Sequence, residues 1–410
     1  MSDRPGRAAI EVVGGGVAGL VVARRLALAG ADVVLHEASD RLGGTVARHV
    51  VGGIPLDAGA ESFAVRGGSV AALLAELGLA GDIVDPRPGP AWLQPAEGSP
   101  VPLPATALLG IPADPVAADV VAVVGEAAAM RAAELDAMPL GDVPATLGAL
   151  VRERHGADVL DRLVTPVVRG VHSIHPDDVP IERAHPALRA ALVEHGSLSA
   201  AVRSLRAAAP PGSAVAGLRG GMHRLPAALA EDAARAGVDI RLGSRVDAFD
   251  AAMVVAARSV TAPAGEGRRI HLVTLVVDQD ELDAAPRGSG LLVAEGAPGI
   301  RARALTHATA KWEWLRESAA GRHVLRLSYD DVPADPVETA RTDAAALLGV
   351  ALPRERVLDA ARVSWTRPAP ASPAPWAVVV GETVAGSGLA GIVAHAERTA
   401  QGLLARVIPG

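Results

Sequence analysis

The chain has no cysteine in 410 residues. That absence excludes disulfides, cysteine-ligated metal, a thiol nucleophile and any cofactor bonded through cysteine. Aromatic residues are nearly as scarce, with five Trp, two Phe and a single Tyr, so no aromatic cage for a cationic amine is apparent. Charged residues make up 21% of the chain and the formal net charge is −7, a balance that does not suit a nucleic-acid backbone. The most apolar window, residues 376–394, contains Glu382 and several glycines and does not read as a membrane span. Residues 1–16 carry charge and run directly into an apolar stretch. They are not expected to be a signal peptide, and the default expectation is a cytoplasmic protein with no transmembrane segment.

What the chain has in abundance is apolar surface, since half its residues are hydrophobic. A chain of this length is too long for one small core, and two or three domains are expected. Ala, Gly and Pro are heavy and Arg greatly outnumbers Lys, which reads as a bias of base composition in the coding sequence.

The chain is organised around residues 8–37, AAIEVVGGGVAGLVVARRLALAGADVVLHE. Residues 8–13 read as a buried strand. The run Gly14-Gly15-Gly16-Val17-Ala18-Gly19 then fits G-x-G-x-x-G, and an Ala/Leu/Arg-rich helix extends to about Ala29. Gly30 ends it, and a second strand, residues 33–36, leads to Glu37. Gly14 permits the tight turn, Gly16 lets a pyrophosphate approach the backbone, and Gly19 lets the helix lie close to the sheet. The helix N-terminus offers unpaired N–H groups and a positive dipole end. Glu37 stands eighteen residues after Gly19, where an acid accepts from ribose hydroxyls. In a chain with 44 glycines the glycine pattern alone would be weak. Strand, glycines, helix, strand and terminal acid in that order make dinucleotide binding the reading.

Beyond this unit, Ala38-Ser39-Asp40-Arg41-Leu42-Gly43-Gly44-Thr45 combines a cation with bare backbone, as further phosphate contacts require. A polar, glycine-bearing segment covers residues 56–63, and a helix begins near Ser69, whose hydroxyl can cap it. Residues 86–115 are rich in Pro and Gly and read as a loop with short strands at a domain boundary. Helical spacing covers residues 119–138, 147–163 and 186–209, with residues 165–176 as a break. Gly220-Gly221, a helix over residues 225–236 and a strand over 238–242 look like a chain returning to the first sheet, with a short strand over 252–256. Residues 270–277, 303–309 and 323–329 alternate as strands of a second, antiparallel sheet, and residues 335–348 form a helix. A strand over residues 376–381, a glycine-rich turn over 382–388 and a helix over 389–407 make a second strand–glycine–helix junction.

Taken together, GGGVAGL (residues 14–20), HEASDRLGGTV (36–46), LDAGAESF (56–63), PVVRGVHSIHPDDV (166–179), GLRGGMHRLPAAL (217–229), ALTHATAKWEWL (304–315) and AGSGLAGIV (385–393) resemble a known family. The resemblance is to the flavin-dependent monoamine-oxidase-like superfamily, and within it to the protoporphyrinogen/coproporphyrinogen oxidases, specifically the actinobacterial coproporphyrinogen-type branch. The first two stretches identify the superfamily, while the GVH and KW stretches are more specific to the porphyrinogen branch.

The resemblance implies an α/β fold, α+β overall: a Rossmann-like FAD-binding domain from residues 1–69, 213–262 and 364–410, a helical insertion over 70–212, and a mixed-sheet substrate domain over 263–363. It implies FAD held without a covalent bond by Gly14 to Gly19, with Glu37 and Ala38 at the adenosine ribose. Arg41, Gly44 and Thr45 would approach the pyrophosphate and ribityl chain, and Gly59, Ala60, Glu61 and Ser62 would pass the isoalloxazine. Val246 would meet the adenine; Trp365, Ser387, Gly388 and Leu389 complete the implied cofactor set. The implied reaction is the oxidation of coproporphyrinogen III to coproporphyrin III in haem biosynthesis, with molecular oxygen reoxidising the flavin and yielding hydrogen peroxide. A ferrochelatase would act downstream.

Arg66 and Arg169 are the candidates for the substrate's propionates, each set against a plain surface arginine. Lys311 is the candidate beside the flavin, set against a strand-end lysine. His172 and His175 read first as turn histidines, and His185 and His195 lack metal-ligand spacing, so no metal is expected. The chain departs from the family pattern at residues 365–376, WTRPAPASPAPW, where a further strand and helix are expected. Two other readings stand beside the oxidase: a catalytically impaired FAD-binding relative that handles haem-pathway compounds, and another amine-oxidase-like flavoenzyme such as a desaturase. Gly16→Val is expected to abolish FAD retention, because a side chain there occupies the pyrophosphate's approach; the flavin absorbance of the purified variant checks this, and normal flavin content would overturn the assignment.

Overall fold

The computed structural model describes residues 9–172, 174–208, 214–248, 253–256, 267–368 and 378–407. The chain forms two compact units, one from residues 1–86, 213–269 and 363–410 and the other from residues 87–212 and 270–362. The first boundary lies at Pro86 and not at residue 69, because helix Ser69–Glu76 buries Val70, Leu73 and Leu74 in the core of the first unit. Ser69 does not cap that helix as expected. Gly68, at φ 66°, takes the N-cap, and the Ser69 hydroxyl donates to the Ala390 carbonyl at 2.9 Å.

The first unit is built on a parallel sheet of five strands in the order Asp239–Arg241, Val33–His36, Ile10–Val13, Val254–Val255 and Val378–Val379. A parallel sheet needs cover on its faces, so its inner strands are mostly apolar; Val12, Leu35 and Val255 are fully buried, while the edge strand Asp239–Arg241 is largely exposed. Helix Val17–Leu28 packs against helices Arg224–Arg235 and Leu389–Val407. Ion pairs lock its far end: buried Arg24 meets Glu76 at 2.9 Å and Asp232, and Arg25 meets Glu76 at 2.7 Å and Glu397 at 2.6 Å. Of the short strand expected over 252–256, Val254–Val255 is present and Ala252 lies outside the described residues, as does the proline-rich passage 369–377.

A mixed sheet, most of whose residues belong to the second unit, has the order Val357–Pro368, Gly267–Val277, His323–Tyr329, Ala304–His307, Gly290–Val293, Trp92–Gln94 and Val101–Pro102. The expected strands pair antiparallel, and the parallel pairing of Trp92–Gln94 with Gly290–Val293 makes the sheet mixed. The helical part has its own core around Leu147, Leu160, Leu188 and Leu198. Its helices are shorter than the periodicity predicts because glycines interrupt them. Gly125 (φ 85°) splits residues 119–138 into Ala118–Val124 and Glu126–Asp136, and Gly196 (φ 68°) separates Leu188–His195 from Leu198–Ala207.

Within the break expected over residues 165–176, residues 165–172 are helical, and the chain turns only after them. Thr165–His172 is a helix that continues a π-helical turn, Leu160–Val164. Pro166 has no N–H to donate to the Arg162 carbonyl, and a change of helical register just ahead of a proline accommodates that loss. Arg169 and Gly170 therefore lie on a helix, and Gly170 packs on Leu292 so closely that a Cβ would overlap it.

Two buried polar clusters brace this unit. Asp136 accepts from the Leu198 and Ser199 amides at 2.6 and 3.0 Å and from the Ser197 hydroxyl at 2.7 Å, which satisfies the start of helix Leu198–Ala207. Burial alone would raise its carboxyl; the neighbouring His155 ring, with the help of Ser197 and Ser199, overcomes that and holds it well below the usual carboxylate range. His155 Nε2 lies 2.9 Å from the Ser199 hydroxyl and 3.6 Å from Asp136. Ser, His and Asp here share one ring nitrogen in a buried setting, which braces the helices and offers no accessible nucleophile.

In the sheet, fully buried His307 sets Nε2 3.1 Å from His323 Nδ1. Burial first, and the neighbouring His323 second, push His307 down to about 3. An unfolded histidine titrates near 6.5. Between those values the unfolded chain binds more protons than the native one, so the stability from keeping His307 neutral is complete above pH ~6.5 and falls away as pH drops toward 3. From pH 7 to pH 5 the wild type is expected to lose about 2 kcal/mol more unfolding free energy than His307→Gln; urea unfolding at both pH values measures it, and identical losses would refute it.

Candidate cofactor-binding cleft

The glycine turn is built as its residue types dictate. Gly14 sits at φ 108°, a region that side chains avoid, and its amide donates to the His36 carbonyl at 2.7 Å. A Cβ on Gly19 would overlap the Gly14 carbonyl oxygen, so helix Val17–Leu28 crosses the first strand in backbone contact. Gly16 caps the helix without a side-chain hydrogen bond, and a Cβ there would meet nothing within 4 Å. The open space over Gly16 and the unpaired amides of the first helical turn are what a phosphate group requires.

Glu37 holds this turn together. Its Oε2 accepts from the Gly15 amide at 2.8 Å, and its Oε1 accepts from the amide and hydroxyl of Ser39, both at 2.8 Å. The Gly43 amide donates to the Gly15 carbonyl at 2.8 Å, and Arg41 donates to the Gly44 carbonyl at 3.0 Å. These bonds fold residues 37–46 back over the glycine turn. A Cβ on Gly59 would overlap the Thr45 carbonyl, so the segment after strand Ile54–Asp57 passes hard against the same wall. That strand is anchored by Asp57, which accepts from the Met222 and His223 amides at 2.9 Å and pairs with His223 Nδ1 at 2.8 Å.

The cleft so formed has a volume of about 540 Å³, within the usual range for cofactor sites. Of the residues expected from the sequence, Gly14, Gly16, Val17, Ala18, Glu37, Ala38, Arg41, Gly44, Thr45, Val246 and Leu389 line it. Gly15 and Gly19 shape the turn from behind. Gly59, Ala60, Glu61, Ser62, Trp365, Ser387 and Gly388 belong to the same unit without lining this cleft. The structure adds residues that sequence reasoning missed: His36 and Ser244 at one end, and Gly381, Glu382 and Thr383 after strand Val378–Val379. Glu382 is paired with Arg367 at 2.9 Å. It opens the turn, residues 382–388, that the sequence marks as a second strand–glycine–helix junction, although the sequence singles out only Ser387, Gly388 and Leu389 there.

The candidates outside the cofactor set fall elsewhere. Arg66 is exposed in the turn before helix Ser69–Glu76. Arg169, in the second unit, is engaged by carboxylates: it pairs with Asp330 at 2.8 Å and with Glu295, and Arg303 reaches Asp330 from the other side at 3.2 Å. Lys311 ends the short helix Ala308–Lys311, half-buried, with Nζ 5.0 Å from the centre of the Trp312 ring. It is the single lysine of the chain, all other side-chain cations of its Lys/Arg set being arginine, a signal present in the composition from the start. His175 caps the turn Pro176–Asp178, accepting from the Asp177 amide; the side chain of His172 lies outside the described residues. Among the described residues no cluster of three or more metal-ligating side chains occurs, and no helix is long and apolar enough to cross a membrane.

A parallel five-stranded sheet, a glycine turn opening a helix and an acid at the end of the second strand define a dinucleotide-binding α/β protein. The family model for flavin containing amine oxidoreductases matches residues 17–277, and this chain belongs to that family. It is similar to a coproporphyrinogen III oxidase of Mycobacterium tuberculosis, 32% identical over 368 residues, covering 81% of this chain and 78% of the relative. A coproporphyrinogen III oxidase of Staphylococcus aureus is 24% identical over 382 residues, covering 82% and 80%. Among solved structures, one described as a protoporphyrinogen oxidase from Exiguobacterium shares the fold with a TM-score of 0.80 at 23% identity, over 98% of this chain and 99% of that one. Family membership makes a flavin the cofactor class, and the open approach at Gly16, the Arg41 cation and the Glu37 carboxylate fit it. Glu37→Ala removes the brace on Gly15 and a carboxylate that the sequence reading assigns to the ribose, so FAD affinity is expected to fall ten- to a hundredfold, roughly what a charged hydrogen bond contributes; fluorescence titration of the apoprotein measures it, with an unchanged affinity counting against the assignment.

Proposed function

We propose that this chain is an FAD-dependent oxidase that converts coproporphyrinogen III to coproporphyrin III, with molecular oxygen as the final acceptor. The observation that carries the reading is the likeness to the mycobacterial coproporphyrinogen III oxidase over four-fifths of this chain. In this reading FAD is held without a covalent bond, as the lack of cysteine also favours. Gly14, Gly16 and the first turn of helix Val17–Leu28 receive the pyrophosphate, Arg41 supplies a cation beside it, and Glu37 accepts from the adenosine ribose. Helix Leu389–Val407 turns its N-terminal end, residue Leu389, to the cleft, where its partial positive charge favours an anion. When bound, the flavin supplies a two-electron acceptor that oxygen returns to its starting state with release of hydrogen peroxide. Lys311 is our candidate for a side chain that serves the chemical step, and Arg66 remains the candidate for a propionate contact. The product is a metal-free porphyrin, so the reaction class that consumes it is iron insertion by a ferrochelatase. The proposed location is the cytoplasm, including the membrane surface.

One observation favours a second reading. Arg169 is neutralised by Asp330 and Glu295, which weakens it as a propionate ligand and suits an FAD-binding relative without the oxidase activity. Anaerobic mixing of the FAD-loaded protein with coproporphyrinogen III separates the two. The oxidase reading expects flavin bleaching together with the rise of porphyrin fluorescence, faster than with protoporphyrinogen, and Lys311→Met is expected to slow bleaching at least tenfold with unchanged FAD content. A yellow protein whose flavin is never bleached by either porphyrinogen would overturn the oxidase and leave the binding reading standing.

A further inference from the structure

Arg169, in helix Thr165–His172, lies between two carboxylates of unequal standing. One is Asp330, directly after strand His323–Tyr329. Its Oδ2 accepts from Arg169 at 2.8 Å and its Oδ1 from Arg303 at 3.2 Å, so one carboxylate serves two cations. The other is Glu295, paired with Nη1 of Arg169. The Glu295 side chain is 64% exposed, against 35% for Asp330 and 17% for Arg169. It opens a turn that carries Gly296 at φ 80° and Gly299 at φ 72°, and a Cβ on either glycine would meet nothing within 4 Å.

The two pairs differ in what it costs to break them. Withdrawing Asp330 would leave cations in a shielded place short of a charge they are built around. A pair with an exposed glutamate on an open turn is worth little, because water and salt compensate the charge and holding the side chain costs entropy. Arg169 cannot follow Glu295 outward, since Val168 is buried and Gly170 packs on Leu292. With Glu295 turned into water, the guanidinium keeps one edge on Asp330 and presents the other, a geometry that suits an incoming carboxylate. Leu292, Ala304 and Ser328 form one half-buried row across three strands, and Arg303 donates to the Ser328 hydroxyl at 3.3 Å. The row gives the uncharged part of such a ligand a surface beside the arginines.

We propose that Glu295 is a displaceable placeholder, which occupies Arg169 in the unliganded protein and yields that place to a carboxylate of the substrate. The inference rests on the oxidase reading, which supplies a substrate with propionate side chains. It makes the ion pair a device for selectivity. A ligand without carboxylates offers Arg169 nothing in exchange for Glu295 and leaves the pair closed. The internal anion also lowers the apparent affinity for the right ligand, because part of the protein always holds the closed form.

The test is the binding of coproporphyrin III to the FAD-loaded protein, followed by porphyrin fluorescence, with its tetramethyl ester as the uncharged control. Glu295→Ala is expected to tighten coproporphyrin III about three- to fivefold, the most that an exposed pair contributes, and to leave the ester unchanged. Arg169→Met is expected to weaken coproporphyrin III at least about tenfold, and adding Glu295→Ala to it should bring no gain. Flavin absorbance and thermal melting check that each variant is folded and loaded. Unchanged or weaker binding by Glu295→Ala overturns the inference, while bleaching of the wild-type flavin by coproporphyrinogen III keeps the oxidase reading intact. An equal gain in the Arg169→Met background also overturns it, since Glu295 would then act through the general field of the protein. A wild-type protein that binds coproporphyrin III no better than its ester, and whose flavin coproporphyrinogen III never bleaches, overturns the oxidase reading and the inference with it.

Discussion

Everything in the first unit depends on one backbone contact, the crossing of helix Val17–Leu28 over the first strand at Gly19 and Gly14. A single methyl at Gly19 would collide with the Gly14 carbonyl. With the contact in place, the helix starts directly behind the turn, and its unpaired amides face the space above Gly16. The other end of the helix is held by Arg24 and Arg25, whose carboxylate partners come from helices Ser69–Glu76, Arg224–Arg235 and Leu389–Val407. Three of the unit's helices are thereby tied to the one that opens the cleft. Arg24 is buried, so its pairs are worth more in geometry than in net stability, because the cost of removing the charges from water offsets much of their attraction.

Glu37 couples this scaffold to function. Its carboxylate is bonded to Gly15 and Ser39, so the group that would meet a ribose also keeps the glycine turn and the next loop in register. Such double use makes the site rigid before a ligand arrives, which lowers the ordering cost of binding. The second unit follows a different logic. Its helices and sheet are braced internally by Asp136 with His155 and by His307 with His323, buried polar groups that hold position without chemistry of their own.

The sequence was most readable where local rules act. Periodicity and turn chemistry located the first strand, glycine turn, helix and acid, because each of those choices is decided by neighbours a few residues away. It was less readable where a residue's role depends on a distant partner. Residues 119–138 look like one helix until Gly125 adopts φ 85°, and Pro166 looks like a breaker until a π turn absorbs it. Ser69 has the chemistry of a cap, yet its hydroxyl bonds Ala390, more than three hundred residues away. Arg169 looks like an open ligand for an anion until Asp330 and Glu295 are seen beside it.

By itself, then, the sequence determined that the opening turn is of the dinucleotide-binding type and how it is made, since glycine spacing and a terminal acid encode both through backbone sterics. Composition also ruled out cysteine chemistry outright. Only the tertiary structure decided which of the many polar side chains face the cleft. His36, Ser244 and Glu382 come from three separate stretches of chain and meet through sheet order and long-range hydrogen bonds. The physical reason is that a hydrogen bond is specified by distance and angle in space, and no spacing along the chain encodes which carboxylate or hydroxyl a given arginine or histidine will find.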